Sequence, residues 1–222
     1  MASQGDPTTI QAMPVKNHNQ NLMKEFIEHM EALRQELPEP FFIRKKIGEF
    51  YNSLVARKMI EEGPSAVDDI LEYLGDNPRP GLVAPAVLLL SYFNPQQFYS
   101  RLLGILKNAS RPVVEAFESG FWLIRLDEEK LAADLVKLAN ENANVLLLLQ
   151  RPVVKRFKKE LQKFIESKKL PLSLFATYCY KYTLDKGDVF FLEKISRWKD
   201  LPDIAAEANI CLKRLHASAD DE

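Results

Sequence analysis

Apolar residues recur every three or four positions along most of this chain, a spacing that predicts amphipathic α-helices. In one example, Val113, Val114, Phe117 and Phe121 fall on a single helix face. Only Val145–Leu149 fits a short buried helix and a strand equally well, because it is apolar throughout. No second strand candidate exists for it to pair with, so we predict helix there and an all-α fold for the whole chain.

Prolines, glycines and capping residues divide the chain into about eleven or twelve helices joined by short loops. Asp127 illustrates the reasoning, because it can cap a helix whose first turn carries Glu128 and Glu129 at the positive end of the helix dipole. The run Leu82–Phe93 is too apolar for a surface helix, so we expect it to be buried. Loops this short bring consecutive helices together as antiparallel hairpins.

Two kinds of internal repetition occur. The tetrapeptide Arg-Pro-Val-Val occupies 111–114 and 151–154, forty residues apart, which alone is weak evidence of a repeat. The helix starts indicate a different period of about thirty residues. Leu170-Pro171 and Leu201-Pro202, thirty-one residues apart, fit that period. The predicted starts that share it lie near residues 81, 111, 143, 171 and 201.

Taken together, the period, the proline-opened helices and the alternating hairpins over residues 41–216 resemble the HEAT-like helical-repeat group. The resemblance implies an α-solenoid of antiparallel helix hairpins. An irregular bundle of similar hairpins is the alternative architecture. We expect a disordered polar tail at 1–20, a single helical-repeat domain at 21–217 and a frayed acidic tail at 218–222.

Charge and cysteine content limit the classes of function. Thirty basic and thirty-one acidic residues leave a formal charge of −1, so no overall field attracts nucleic acid or a membrane. Two cysteines do not make a disulfide framework, and the first residues do not follow the signal-peptide pattern, so we expect a cytoplasmic protein. Export without a classical signal stays open. No apolar run is long enough for a membrane span.

Catalytic and metal-binding patterns are missing from the sequence. His18, His29 and His216 lie far apart, with no second ligand at metal-binding spacing. Cys179 and Cys211 fall on apolar faces, where a thiol is ordinarily buried and inert. No phosphate-binding loop or nucleophile motif occurs. We therefore expect no metal and no cofactor and favour a non-catalytic role, with enzymatic activity left open.

The strongest local signal is the basic amphipathic stretch 151–169, whose other face is apolar. Such a helix can bind phosphate, anionic lipid or an acidic protein. A solvated outer helix, whose lysine stems cover apolar surface, is the simpler interpretation. We predict a partner-binding surface made by Arg151, Lys155, Arg156, Lys158, Lys159, Lys163 and, from the tyrosine-rich helix that follows, Tyr180.

Three functions are consistent with these features. The first is a non-catalytic scaffold that holds a protein partner, predicted to be acidic, on its concave or basic face. The second is a nucleic-acid-binding or DNA-repair-type HEAT-like protein that uses the 151–169 lysines with Trp122, Asp127 and Trp198. The third is membrane-surface binding, which competes poorly because the protein core needs the apolar face of that helix.

Overall fold

Regular structure in the described residues is entirely helical, in agreement with the predicted all-α class. The computed structural model describes residues 15–36, 54–121, 124, 126–149 and 151–217. Within these ranges there are twelve α-helices, four 3₁₀ helices and no strand. The α-helices are α1 (Val15–Glu36), α2 (Leu54–Glu61), α3 (Pro64–Gly75), α4 (Pro80–Leu90), α5 (Tyr99–Asn108), α6 (Arg111–Phe121), α7 (Glu128–Leu138), α8 (Arg151–Val154), α9 (Lys158–Glu166), α10 (Leu172–Tyr180), α11 (Val189–Ser196) and α12 (Pro202–Ala217). The 3₁₀ helices are Pro95–Gln97, Ala143–Leu148, Lys155–Phe157 and Lys186–Asp188.

The chain divides into two compact units, Met1–Ile70 and Leu71–Glu222, and the boundary falls within α3. The single helical-repeat domain over 21–217 stays a prediction from the sequence. In the first unit α1 packs against α2. Helix α1 begins at Val15, inside the predicted tail; the rest of that tail and the tail at 218–222 lie outside the described residues.

The predicted helix from Phe41 to about Glu61 is described only over its last part, α2. Gly63 ends this part of the chain with φ of 68°, a left-handed conformation that glycine adopts without steric cost. Helix α3 then begins at Pro64, and proline is common at the first position of a helix. Ser65 lies inside this helix, and its hydroxyl donates to the Glu62 carbonyl at 3.0 Å.

In the second unit, five elements contact one another in chain order: α4 packs on α6, α6 on the 3₁₀ helix Ala143–Leu148, that helix on α10, and α10 on α12. We call these five elements the A row. Helix α4 is buried along nearly its whole length, from Leu82 to Leu90, as its composition predicted. Of the segment Val145–Leu149, all but the capping residue Leu149 lies in the 3₁₀ helix Ala143–Leu148, and all but Leu147 is buried, so the choice of helix over strand is confirmed.

The remaining helices α5, α7, α9 and α11, which we call the B row, are linked by polar side chains. The Tyr99 hydroxyl on α5 donates to Asp134 on α7 at 2.8 Å. Glu129 on α7 forms an ion pair with Arg156, just before α9. Asn142, between the rows, donates through its amide to the carbonyls of Leu106 at 2.7 Å and Ala109 at 2.9 Å, at the end of α5. These links join residues about thirty positions apart in the sequence.

Candidate partner-binding surface

The basic stretch 151–169 forms three short helices rather than the single helix predicted to run to about Ser167. Helix α8 ends at Val154, the 3₁₀ helix Lys155–Phe157 follows, and α9 begins at Lys158. On α9, Leu161 and Ile165 are fully buried. Their four-residue spacing turns one face of α9 to the core and leaves the opposite face to solvent.

Lys158 is not available to a partner, contrary to prediction. Only 22% of its side chain is exposed, and its Nζ lies 2.7 Å from the carboxylate of buried Asp188 and 2.6 Å from that of Asp185. Burial disfavours the charged form of Lys158, but the hydrogen bonds to both carboxylates outweigh it, so the pKa lies above its ordinary value. The hydrogen bond from Lys158 in turn lowers the pKa of Asp185. This lysine therefore ties α9 to the start of α11.

Tyr180 is not on the surface either, because its side chain is 0% exposed. Its hydroxyl donates to Asp188 Oδ1 at 2.7 Å and accepts from Gln162 Nε2 at 2.7 Å. Burial and the hydrogen bond to Asp188 raise the pKa of Tyr180. The physical reason is that α10 is covered by α9 and by its A-row neighbours. Tyr178 and Tyr182, on the other face, are half-buried, and Lys181 lies over both rings.

Other cations of the stretch are also held within the chain. Arg156 is exposed and pairs with Glu129. Lys168, at the end of the stretch, pairs with Asp200 at 3.0 Å and lies 4.6 Å above the centre of the Trp198 ring. Helix α8 begins at Arg151, whose side chain lies outside the described structure. The predicted surface is therefore smaller than the number of charges in the stretch suggested.

The exposed lysines that remain are Lys155, Lys159, Lys163 and Lys169, and we call the first three, which are spaced four residues apart, the lysine stripe. Among the described residues none of the three has an ion-pair, hydrogen-bond or ring partner. Lys159 and Lys163 lie about one turn apart on α9, and Lys155 precedes them on the 3₁₀ helix Lys155–Phe157. The stripe concentrates positive charge on α9 and the turn before it, and no acidic group of the described chain pairs with it.

The exposed side chain of Phe190 on α11 was not foreseen by the sequence analysis, because Phe190 stands in an apolar run with Val189, Phe191 and Leu192. Its side chain is 81% exposed, whereas Leu192 and Ile195 are fully buried. A signal was present in the sequence. Residues three and four positions after Phe190 are Glu193 and Lys194, which mark a polar face.

Of the residues proposed for nucleic-acid contact, the described structure brings Lys168 and Trp198 together and uses Asp127 as a helix cap. Asp127 caps α7, because its Oδ1 accepts from the backbone N–H groups of Glu129 and Lys130 at 3.1 Å. Trp198 is half-buried beneath Lys168. Trp122 lies outside the described residues. Asp127 was correctly predicted as a helix cap.

Neither a metal site nor a membrane span occurs within the described ranges. No three His, Cys, Asp or Glu side chains in the described part of the chain are arranged to hold a metal ion. None of the described helices is long and apolar enough to cross a membrane. Comparison with models of known families, with curated proteins and with solved structures finds no match to this chain.

Proposed function

We propose that this protein is a non-catalytic interaction scaffold whose lysine stripe binds an acidic surface of a protein partner. The observation that carries the proposal is that Lys155, Lys159 and Lys163 are exposed and have no acidic partner among the described residues, whereas Arg156, Lys158 and Lys168 all do. Unpaired charges of one sign on a rigid helix steer and orient a partner of opposite charge.

The architecture supports a scaffold. We propose that the helices from Pro80 to Ala217 form a HEAT-like α-solenoid, in which each hairpin contacts mainly the next. In support, the A-row elements begin at Pro80, Arg111, Ala143, Leu172 and Pro202 and pack in that order. A fixed helical array of this kind presents its surface side chains in a constant arrangement. The cytoplasmic location expected from the sequence remains part of this proposal.

A protein partner suits the surface better than nucleic acid. The stripe is confined to α9 and the 3₁₀ helix directly before it, and the sequence pI is about 6.4. Nucleic-acid-binding surfaces carry basic residues over several elements, since affinity depends on the number of phosphates contacted. Of the additional residues proposed to contact nucleic acid, Asp127 caps a helix and Trp198 is covered by Lys168.

A charge-reversal experiment tests the proposal. The variant Lys155→Glu/Lys159→Glu/Lys163→Glu is compared with Lys199→Glu/Lys213→Glu, which reverses two exposed lysines elsewhere. Fluorescence anisotropy measures binding to a labelled glutamate-rich peptide, a random-sequence DNA duplex and phosphatidylserine-containing vesicles. We expect the peptide alone to bind, and the stripe variant to lose at least about tenfold in affinity while the control variant binds like wild type.

Two results would contradict the proposal. Equal peptide binding by wild type and the stripe variant would show that the stripe is only a solvated face. Duplex binding that depends on the stripe, with log K falling against log salt at a slope of about −2.7 for three phosphate contacts, would assign the surface to nucleic acid.

A further inference from the structure

Phe190 has the most exposed large apolar side chain in the described structure, at 81%. Its neighbour Phe191 packs with Tyr180, their ring centroids 5.4 Å apart, so the two adjacent phenylalanines face opposite ways. An isolated exposed apolar residue is common on proteins. Phe190 differs from such isolated residues because it lies beside the lysine stripe.

Two links set the position of α11 against α9. Near the start of both helices, Lys158 binds Asp188 at 2.7 Å, and towards their ends Lys194 Nζ lies 2.9 Å from Glu166 Oε1. The two helices therefore run side by side in the same direction. Phe190 follows Asp188 by two residues, which sets it at the level of Lys159 along this seam.

The spacing of residues along α9 and α11 indicates which side chains beside this seam face solvent. Phe190 lies one turn before Lys194, whose side chain reaches across the seam to α9, and both are exposed. On α9, Lys159 follows directly after Lys158, the residue that crosses the seam, and also faces solvent. The lysine stripe and Phe190 thus flank the seam between α9 and α11, and we call the surface along this seam the groove.

We propose that this groove binds an acidic amphipathic helix of a protein partner, with carboxylates on the lysine stripe and an apolar side chain against Phe190. The inference rests on the proposed function and specifies the partner. Charge complementarity selects an acidic segment. A helix is favoured over an added strand because the described residues contain no sheet edge to extend, whereas a seam between two helices suits side-chain recognition of a third.

A membrane surface is the less suitable occupant. Interfacial helices insert a continuous apolar face into lipid. On α9 the apolar residues Leu161 and Ile165 are fully buried and Phe164 is half-buried. Of the large apolar side chains on α9 and α11, Phe190 is the exposed one that would enter the lipid, beside the lysines. One apolar anchor next to a row of charges matches instead a peptide helix that carries one apolar stripe beside one acidic stripe.

The test uses a synthetic helical peptide with glutamates four residues apart on one stripe and leucines four apart on the next. A scrambled peptide of the same composition is its control. Binding to the full chain is measured by anisotropy over a range of salt concentrations. We expect Phe190→Ala to weaken binding of the striped peptide about tenfold with an unchanged salt dependence, since an apolar contact is not screened. The matched control Ile210→Ala removes another exposed apolar side chain, 43% exposed on α12, and should bind like wild type.

The outcomes separate the two proposals. If Phe190→Ala binds like wild type while the Lys155→Glu/Lys159→Glu/Lys163→Glu variant does not, the apolar anchor is wrong and the acidic-partner proposal stands. If neither variant differs from wild type, or if the scrambled peptide binds equally well, the groove proposal fails. Vesicle binding that requires Phe190 would assign the surface to lipid and overturn both. Circular dichroism of each variant checks that these surface substitutions leave the fold intact.

Discussion

The Nζ atom of Lys158 lies 2.7 Å from the carboxylate of Asp188, which is 3% exposed and receives a second hydrogen bond from the Tyr180 hydroxyl. The same carboxylate accepts from the backbone N–H of Asp185 at 2.7 Å and so completes a capping box at the start of the 3₁₀ helix Lys186–Asp188. One side chain thus joins α9, α10 and the start of α11. The position of α11 along α9, and with it the proposed groove, depends on Asp188.

We first predict that removing Asp188 or its lysine is strongly destabilising. Asp188→Ala leaves three donors without their acceptor, and we expect a loss of roughly 3–5 kcal/mol in the free energy of unfolding. Lys158→Met leaves a buried carboxylate without its cation, and the partial exposure of Lys158 reduces the expected loss to about 2–3 kcal/mol. Urea denaturation measures both.

The control for this prediction is Lys163→Met, which removes an exposed lysine of the same helix. We expect it to change stability by less than about 0.5 kcal/mol. Equal effects of Lys158→Met and Lys163→Met would mean that the Lys158–Asp188 contact contributes nothing to stability.

The second prediction concerns pH. The pKa of Asp185 lies below its ordinary 3.8, so its contribution is present above that value and is lost as the pH falls through the folded pKa. The pKa of Lys158 lies above its ordinary 10.5, so its contribution is complete below 10.5 and is lost as the pH rises past the folded pKa. The stability difference between wild type and Lys158→Met should therefore be constant between about pH 5 and pH 10 and shrink outside that window. A maximum of the difference at one end of the window would contradict this assignment.

A third prediction uses Asn142, which is 8% exposed. Its amide nitrogen donates to the carbonyls of Leu106 and Ala109, and its oxygen accepts from the Asn144 backbone at 3.1 Å. Asn142→Ala should cost about 1–3 kcal/mol, because two carbonyls lose their donor. Asn142→Asp should cost more, because a carboxylate then faces those carbonyls.

Lowering the pH distinguishes an electrostatic cause of the destabilisation by Asn142→Asp from a loss of packing. Protonation of the new carboxylate restores a donor, so the penalty of Asn142→Asp should fall between pH 7 and about pH 4, while that of Asn142→Ala should not change. Thermal melts across this range make the comparison. Parallel pH profiles for the two variants would contradict the hydrogen-bond explanation.

Helix boundaries in the second unit could be predicted because local chemistry determines them. The cap at Asp127 and the proline starts at Pro80, Arg111-Pro112 and Pro202 depend on backbone groups within a few residues. The break of the 151–167 helix at Lys155–Phe157 was not foreseen. Its apolar spacing is as regular as that of α6, so periodicity contained no sign of it.

Side-chain partners were predictable only where they are local. Lys158 resembles Lys155 and Lys159 in sequence, and only the approach of Asp188, thirty residues later, separates them. The sequence could not indicate whether Tyr180 faces the core or the solvent. Seven of the nine residues of α10 are buried, so this helix has no polar face that marks its solvent side. Periodicity locates a face only where an element borders water.

The fourth prediction concerns the two free cysteines, Cys179 and Cys211, which are both buried. Burial raises the pKa of Cys179 to about 12, and its thiol donates to the Leu146 carbonyl at 3.2 Å. Burial also raises the pKa of Cys211, which is 0% exposed. At about pH 8 Cys179 is therefore held as the thiol, whereas the thiolate is the form that reacts with a disulfide reagent. Both thiols should therefore label in native protein only as fast as the chain opens, and at once in concentrated guanidinium chloride.

The variants Cys179→Ala and Cys211→Ala show which thiol each labelling rate belongs to. A thiol that reacts rapidly in native protein would contradict its burial. If opening limits the rate, Lys158→Met should accelerate labelling of Cys179 by the factor by which its loss of stability raises the population of the open state. Lys163→Met should leave the labelling rate unchanged.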